Sequence, residues 1–226
     1  AIAVQDILSR GKLPILAGGT GLYFRILLED FDLPRTEPDK ELRAELEKEP
    51  PEKLHEKLSE LDFELAQKIH PNNKVKIIRA LEVCIKTGQP MSLAQKKKES
   101  SYDVLWLGLE SSDREFLYDR INKRADIMFE QGLLNEAEAL FNKFGADNNI
   151  LLNTIGYKEL LPYIQGNSNL ENAKNLIKQN TRRYAKRQIS WFKTNKKIKN
   201  FDIKTLSFEE IEEAASEKIR RFINTL

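Results

Sequence analysis

Residues 13–24, LPILAGGTGLYF, carry the pattern that predicts the fold class of this chain. The apolar run 13–17 predicts a short buried strand, the glycines around Thr20 predict a turn, and residues 22–29 predict a helix. Strand, turn and helix form half of a βαβ unit, which places a helix N-terminus at the carboxyl edge of a parallel sheet. That N-terminus favours an anion, but a plain turn capped by Thr20 has the same residues, so both interpretations stay open.

The composition is typical of a soluble globular protein, with 226 residues, 40% hydrophobic and 32% charged. The apolar runs are too short to span a bilayer, and no signal peptide opens the chain. Cys84 is the one cysteine, so no internal disulfide forms, and with two histidines the chain offers little for a zinc site. We therefore expect a cytoplasmic protein.

The organisation of the chain changes after the first βα pattern. Four charged, proline-punctuated segments have helical periodicity and no strand pattern: 39–49, 51–61, 62–69 and 74–86. We predict a helical insertion domain at 34–99, ending in a polar linker at 95–99, and an α/β core formed by 1–33 and 100–226. The core also contains predicted strands at 102–110 and 201–203 and predicted helices at 113–132, 133–144 and 207–226, the last with a capping box of Ser207 and Glu210.

A predicted helix at 172–199 concentrates positive charge. It contains no Asp or Glu, although the whole chain is nearly balanced at 37 Lys plus Arg against 35 Asp plus Glu. Its cations are Lys174, Lys178, Arg182, Arg183, Lys186, Arg187, Lys193, Lys196, Lys197 and Lys199. Helical spacing places Lys178, Arg182 and Lys186 on one face. This pattern favours a surface that binds the phosphates of a nucleic acid; the alternative is a solvated basic helix.

Eight segments match the motifs of one family, in the order in which that family has them. They are GGTGLYF (18–24), the helix around Arg43, DFELAQKIHPNN (62–73), RALEV (79–83), TGQP (87–90), DREFLYDRINKRADIMFEQG (113–132), IGYKE (155–159) and TRRYAKRQISWF (181–192). Together they resemble the tRNA dimethylallyltransferases, also called tRNA isopentenyltransferases. The lack of a C-terminal Cys- and His-rich segment resembles the bacterial type.

The resemblance implies an α/β fold with a P-loop-type parallel-sheet core, a helical insertion domain and a helical C-terminal part. It implies transfer of a dimethylallyl group from dimethylallyl diphosphate to the exocyclic amine of the adenosine 3′ of the anticodon in tRNA. The implied partners are the tRNA anticodon stem-loop and dimethylallyl diphosphate, the implied cofactor is magnesium, and the intact protein is expected to be a monomer.

Site residues follow from the same resemblance. Arg124, and more weakly Arg120, are implied to bind diphosphate, and Thr20 to lie where diphosphate and the target adenosine meet. The implied tRNA-binding residues are Thr20, Arg43, Val75, Lys76, Ile77, Ile78, Arg79, Asn153, Thr154, Ile155, Gly156, Tyr157, Lys158, Ala185, Lys186, Arg187, Gln188, Ile189, Ser190, Trp191 and Phe192. The family usually has Gln-Arg at the positions of Val75 and Lys76, and Lys76 keeps the charge of that arginine without its bidentate fork.

One family motif does not occur in these 226 residues. The family has a P-loop, GxxxxGK[ST], followed by an aspartate that is the general base, whereas the Gly11-Lys12 pair lacks the partner glycine and the Ser or Thr. We expect the diphosphate cradle, most magnesium ligands and the base to lie outside the chain, and the chain alone to be inactive. The alternatives are a non-catalytic RNA-binding module, an adenylate dimethylallyltransferase and a small-molecule P-loop kinase.

Overall fold

A computed structural model describes residues 2–28, 36–94 and 102–225. The chain divides into two compact units, Ala1–Val104 and Leu105–Leu226. The predicted linker at 95–99 and residues 29–35, with Pro34, lie outside the described residues.

In its described part, the regular secondary structure of the first unit consists of helices, joined by turns and irregular segments. Its helices are α1 (Ile2–Ser9), α2 (Gly21–Leu28), α3 (Lys40–Leu46), α4 (Pro51–Leu61), α5 (Phe63–Ala66), α6 (Lys74–Thr87) and α7 (Met91–Ala94). Local signals set these bounds: the Asp39 side chain accepts from the N–H of Leu42 at the start of α3, and Gly88 ends α6 with a left-handed φ of 65°.

Helices α3 to α6 share one apolar core. Its most buried members are Leu54 and Leu58 of α4 and Ile77 and Leu81 of α6, each fully excluded from solvent. Burying four large aliphatic side chains stabilises this unit by about 1.5–3 kcal/mol for each of them. The predicted helices at 39–49, 51–61, 62–69 and 74–86 are therefore confirmed in type, with bounds that shift by up to three residues.

The predicted strand at 13–17 is wrong in the described structure. Residues 12–18 belong to no helix or strand, and Leu13, Ile15 and Leu16 are exposed. A strand needs hydrogen bonds from a neighbouring strand, and within the described residues the sheet contains only the two strands of the second unit. The helix predicted at 22–29 is present as α2 and begins one residue earlier, at Gly21.

The second unit combines a small sheet with helices. Its elements are β1 (Leu107–Glu110), α8 (Arg114–Glu130), α9 (Leu133–Phe144), α10 (Asn149–Asn153), α11 (Leu161–Ile164), α12 (Leu170–Phe192), β2 (Lys199–Asp202) and α13 (Phe208–Ile223). Ser207 and Glu210 form the predicted capping box at the start of α13. The core lies between α8, α9 and α12 and includes Ala125, Ala137, Leu160 and Ile177.

Strands β1 and β2 pair in parallel, with Leu107 opposite Lys199 and Glu110 opposite Asp202. The strand predicted at 102–110 is therefore shorter than expected, and the strand predicted at 201–203 begins two residues earlier, because each extends only where the other supplies hydrogen bonds. The parallel sheet confirms the predicted α/β class. The predicted division into residues 34–99 and a core of 1–33 and 100–226 stays a prediction.

Candidate functional site

Thr20 lies on the surface, immediately before α2. Its carbonyl oxygen accepts from the N–H of Tyr23 at 3.0 Å, which closes the first turn of the helix. The next residue, Gly21, is buried, so the backbone packs closely there. The structure therefore places the Thr20 hydroxyl at an accessible helix start, as the GGTG pattern predicts.

Arg43 of α3 is held by a buried carboxylate. Its Nε donates to Glu82 Oε1 and its Nη2 donates to Glu82 Oε2, each at 2.8 Å, so the pair is bidentate. Arg79 also donates to Glu82 Oε2, and the backbone N–H of Asp39 donates to Oε1 at 2.7 Å. Glu82 thus fixes two of the predicted tRNA-binding arginines, Arg43 and Arg79, beside each other.

The electrostatics of this cluster keep Glu82 ionised at neutral and mildly acidic pH. The hydrogen bonds from Arg43 lower the pKa of Glu82 to about 2 against the opposing effect of burial, with further help from the Asp39 N–H and Arg79. The same contact raises the pKa of Arg43. The sequence analysis assigned no role to Glu82, which lies among the buried apolar residues of α6. A glutamate on a buried stripe is a signal for such a cluster.

This pKa predicts an acid-sensitive first unit. The folded pKa of about 2 lies below the ordinary value of 4.5, so the ion pairs stabilise fully above pH 4.5 and are lost as the pH falls toward 2. We expect Glu82→Gln to remove this component, on the order of 2–3 kcal/mol. Urea unfolding followed by far-UV circular dichroism at several pH values measures it. Equal pH dependence in the wild type and the variant would contradict the prediction.

The start of α6 is only partly available to a ligand. Ile77 and Ile78 are buried in the core, so their side chains do not reach RNA, whereas Val75 is 76% exposed and Lys76 is exposed. Lys74 Nζ donates to the Glu47 carbonyl at 2.5 Å. Salt bridges and carbonyl contacts therefore account for the basic start of this helix at Lys74 and Arg79, and Lys76 alone extends into solvent.

Arg120 and Arg124, the predicted diphosphate ligands, are both exposed on α8. The guanidinium of Arg120 lies 5.7 Å from the centre of the Phe116 ring. Within the described residues neither arginine forms an ion pair, although Asp119 lies on the same helix and Asp126 pairs with Lys178 instead. Both cations therefore remain available to an anion.

The turn after α10 contains the predicted positions 153–158. Gly156 has a φ of 107° and is buried, a backbone conformation that favours glycine at this turn. The Asn153 side chain donates back to the Asn149 carbonyl and that of Thr154 to the Ile150 carbonyl, each at 2.7 Å. The Tyr157 hydroxyl donates to Glu136 Oε1 at 2.8 Å, and this bond raises the pKa of Tyr157. Ile155 is half-buried.

Glu159, which the sequence analysis missed, ties this turn to α12. The side chain is buried; Oε2 accepts from the N–H of Gly156 at 2.8 Å and Oε1 accepts from Asn180 Nδ2 at 2.7 Å. Lys158 Nζ lies 3.7 Å from the same carboxylate. Two predicted tRNA-binding segments, the turn and α12, are thereby linked by one buried carboxylate.

The basic helix differs from the prediction in length and in charge. It ends at Phe192, so Lys193, Lys196, Lys197 and Lys199 lie outside it. Lys178 Nζ forms an ion pair with Asp126 of α8 at 2.6 Å, and Arg182 Nη1 donates to Asn122 at 2.6 Å. The prediction that Lys178, Arg182 and Lys186 form one accessible basic face is therefore wrong. Residues of α8 bind Lys178 and Arg182, and the spacing of residues within α12 does not reveal such partners.

The cations that α12 leaves on the surface are Arg183, Lys186 and Arg187. Among the other predicted tRNA-binding residues of this helix, Ser190 is exposed, and Ala185, Gln188 and Ile189 are half-buried. The rings of Trp191 and Phe192 pack edge to face, with centroids 4.9 Å apart. We call Arg183, Lys186 and Arg187 the α12 basic surface. It is the accessible basic part of α12 itself; the exposed Lys193, Lys196, Lys197 and Lys199 follow it outside the helix.

Comparison with known proteins gives one consistent result. The family model described as IPP transferase matches residues 1–195. A tRNA dimethylallyltransferase from Acetivibrio thermocellus is 45% identical over 204 residues, which cover 87% of this chain and 64% of that protein. One from Bacillus cereus is 45% identical over 206 residues. The chain thus spans 64% of the length of these curated relatives.

Two solved structures extend the similarity to the fold. A full-length tRNA isopentenylpyrophosphate transferase from Bacillus halodurans is 39% identical, with a TM-score of 0.64 over 99% of this chain and 70% of that one. A eukaryotic dimethylallyltransferase acting on tRNA is 28% identical, with a TM-score of 0.79 over 99% of this chain and 60% of that one. The fold class and the family resemblance predicted from the sequence are confirmed.

Proposed function

Because the chain belongs to the IPP transferase family, we propose that the protein transfers a dimethylallyl group from dimethylallyl diphosphate to the exocyclic amine of the adenosine 3′ of the anticodon in tRNA. The observation that carries this proposal in the chain itself is the α12 basic surface, with Arg183, Lys186 and Arg187 exposed. A tRNA loop offers the phosphates that such a surface attracts.

The residues of this chain have three roles in the proposed reaction. Arg124 and Arg120 bind the diphosphate and balance its negative charge as the carbon–oxygen bond to the dimethylallyl group breaks. Arg43, Lys76 and the turn around Gly156 contact tRNA together with the α12 basic surface, so that the adenine is held outside the stacked anticodon loop. Thr20 lies at the accessible start of α2, where diphosphate and adenosine meet in this proposal.

Magnesium is the cofactor of this proposal, but the described residues do not fit a metal site. Across residues 2–28, 36–94 and 102–225, no group of three or more His, Cys, Asp or Glu side chains is placed to hold a metal ion. We therefore derive no step through a metal. The general base is likewise assigned to none of these residues.

We also propose that the protein acts in the cytoplasm as a monomer. Among the described residues, no helix has the length and hydrophobicity needed to cross a bilayer. A tRNA substrate and a single buried cysteine, Cys84, are compatible with a reducing cytoplasm.

The proposal predicts salt-sensitive RNA binding through α12. We expect the double variant Lys186→Ala, Arg187→Ala of the full-length gene product to bind an anticodon stem-loop about tenfold more weakly, because two phosphate contacts are lost. Filter binding at several salt concentrations measures both the affinity and the slope of log K against log salt, which should fall in magnitude by about two.

The matched control is the double variant Lys218→Ala, Arg221→Ala on α13, which removes the same charge elsewhere in the unit. It should bind like the wild type. Equal losses in the two double variants would mean that total charge, and not the α12 basic surface, governs binding. Binding that does not depend on salt would contradict the proposal.

A non-catalytic RNA-binding module is the second candidate. The observation in its favour is that these 226 residues contain the α12 basic surface and no GxxxxGK[ST] motif. Transfer of label from dimethylallyl diphosphate to tRNA by the full-length gene product would exclude it. Transfer to free AMP instead of tRNA would indicate an adenylate dimethylallyltransferase.

A further inference from the structure

Tyr184 occupies a position on α12 where burial is expected. It follows Ile177 by seven residues, which is two helical turns, so both side chains point to the same side of the helix. Ile177 is 2% exposed, whereas Tyr184 is 38% exposed. The apolar stripe that packs into the core therefore continues as an aromatic ring that is open to solvent.

Cations surround this ring. The guanidinium of Arg187 lies 5.6 Å from the centre of the Tyr184 ring. Arg183 and Lys186 are exposed on either side in the sequence, and in the described part of the chain neither Lys186 nor Arg187 forms an ion pair with a carboxylate. Lys178 and Arg182, in contrast, are already engaged by α8. An accessible aromatic ring thus lies within the unneutralised charge of the helix.

We propose that Tyr184 and Arg187 form a stacking platform for one unpaired base of the RNA loop, an inference that rests on the proposed function. An unpaired base has a π-face that stacks on tyrosine and on the planar guanidinium. The phosphates next to that base contact Arg183 and Lys186. The platform adds to the phosphate contacts of the α12 basic surface because stacking holds a base and not only the backbone.

The positive charge around Tyr184 favours an RNA partner over a protein partner. A protein surface on this ring would have to supply carboxylates for three cations, whereas an RNA strand supplies both the planar base and the phosphates in one ligand. The half-buried Trp191 and Phe192 pack on each other about two turns further on, so Tyr184 is the accessible ring of this part of α12.

The platform is tested with anticodon stem-loops in which 5-iodouridine replaces one loop nucleotide at a time. Irradiation cross-links this base to an aromatic ring stacked on it, and we expect one loop position to cross-link to Tyr184 of the full-length wild type. We expect Tyr184→Leu to lose this cross-link and to bind about ten- to a hundredfold more weakly, because the stack is removed. Tyr184→Phe keeps the aromatic ring and should therefore keep both the cross-link and the wild-type affinity.

The matched control is Phe208→Leu, which removes an aromatic ring that is 75% exposed at the start of α13. It should bind and cross-link like the wild type. The slope of log K against log salt should be unchanged in Tyr184→Leu, because no phosphate contact is lost. That slope separates the platform from the phosphate contacts of the α12 basic surface.

The outcomes distinguish this inference from the function on which it rests. Salt-dependent binding by the wild type, with cross-links only to other residues or with unchanged affinity in Tyr184→Leu, overturns the platform and leaves the proposed function standing. No salt-dependent binding by the wild type overturns both. The wild-type cross-link decides by itself if Tyr184→Leu does not fold, as shown by its thermal unfolding.

Discussion

Replacement of Glu82 by alanine is expected to lower the free energy of unfolding of the first unit by about 3 kcal/mol. The side chain of Glu82 is fully buried and neutralises Arg43 and Arg79, so its removal leaves two guanidinium groups without a counter-ion. The N–H of Asp39 also loses its acceptor. This loss of unfolding free energy lies at the low end of the range for breaking a buried ion pair, because the side chains of both arginines are partly exposed to water.

Cys84 makes this prediction measurable in the first unit alone. It is the one cysteine of the chain, is 5% exposed and lies two residues from Glu82 on α6, so its reaction with a thiol reagent requires opening of the surrounding structure. A loss of about 3 kcal/mol raises the labelling rate about a hundredfold. Both tryptophans, Trp106 and Trp191, belong to the second unit, so their fluorescence should be unaffected.

The control for Glu82 is Glu60→Gln, which changes an exposed glutamate of the same unit. Its labelling rate should match that of the wild type within the effect of about 0.5 kcal/mol that is usual for surface positions. A labelling rate for Glu82→Ala equal to that of Glu60→Gln would show that the cluster contributes little to stability.

Arg124→Ala is expected to lower kcat/KM for dimethylallyl diphosphate by about a hundred- to a thousandfold in the full-length gene product. Arg124 is exposed and forms no ion pair within the described residues, so its full charge is available to a leaving diphosphate. Because the negative charge on the leaving oxygen grows in the transition state, the loss should appear in kcat as well as in KM.

Two variants calibrate this prediction. Arg124→Lys keeps the charge without the bidentate fork and should retain intermediate activity. Arg114→Ala removes an exposed arginine from the first turn of the same helix and should retain nearly full activity. The affinity for the anticodon stem-loop should be unchanged in all three. Unchanged kcat/KM in Arg124→Ala, or an equal loss in Arg114→Ala, would remove Arg124 from the proposed site.

Local sequence signals predicted most helices because their causes are local. The Ser207 and Glu210 capping box, the N-cap of Asp113 and the left-handed Gly88 each act within four residues, and α13, α8 and α6 begin or end where these residues indicate. Strands depend on partners elsewhere in the chain. The predicted strand at 13–17 is therefore absent from the described residues, and β1 and β2 are as long as their shared ladder.

The candidate site was predicted by resemblance more completely than by charge. The motifs located the turn around Gly156 and the basic residues of α12, but the count of ten cations overestimated the accessible charge. Lys178 and Arg182 are engaged by Asp126 and Asn122 of α8, more than fifty residues away in the sequence. The roles of the predicted site residues themselves stay predictions, to be decided by the measurements above.

The sequence by itself determined the family, the helical segments and the concentration of basic residues after residue 172, because motifs, caps and composition are properties of neighbouring residues. Only the tertiary structure decided which charged side chains are paired with other groups of the protein. Glu82 and Glu159 are buried hydrogen-bond acceptors, whereas Tyr184 is accessible. The packing of helices that are distant in sequence determines which side chains are buried from solvent. What is left on the surface of α12 is the part that a ligand can use.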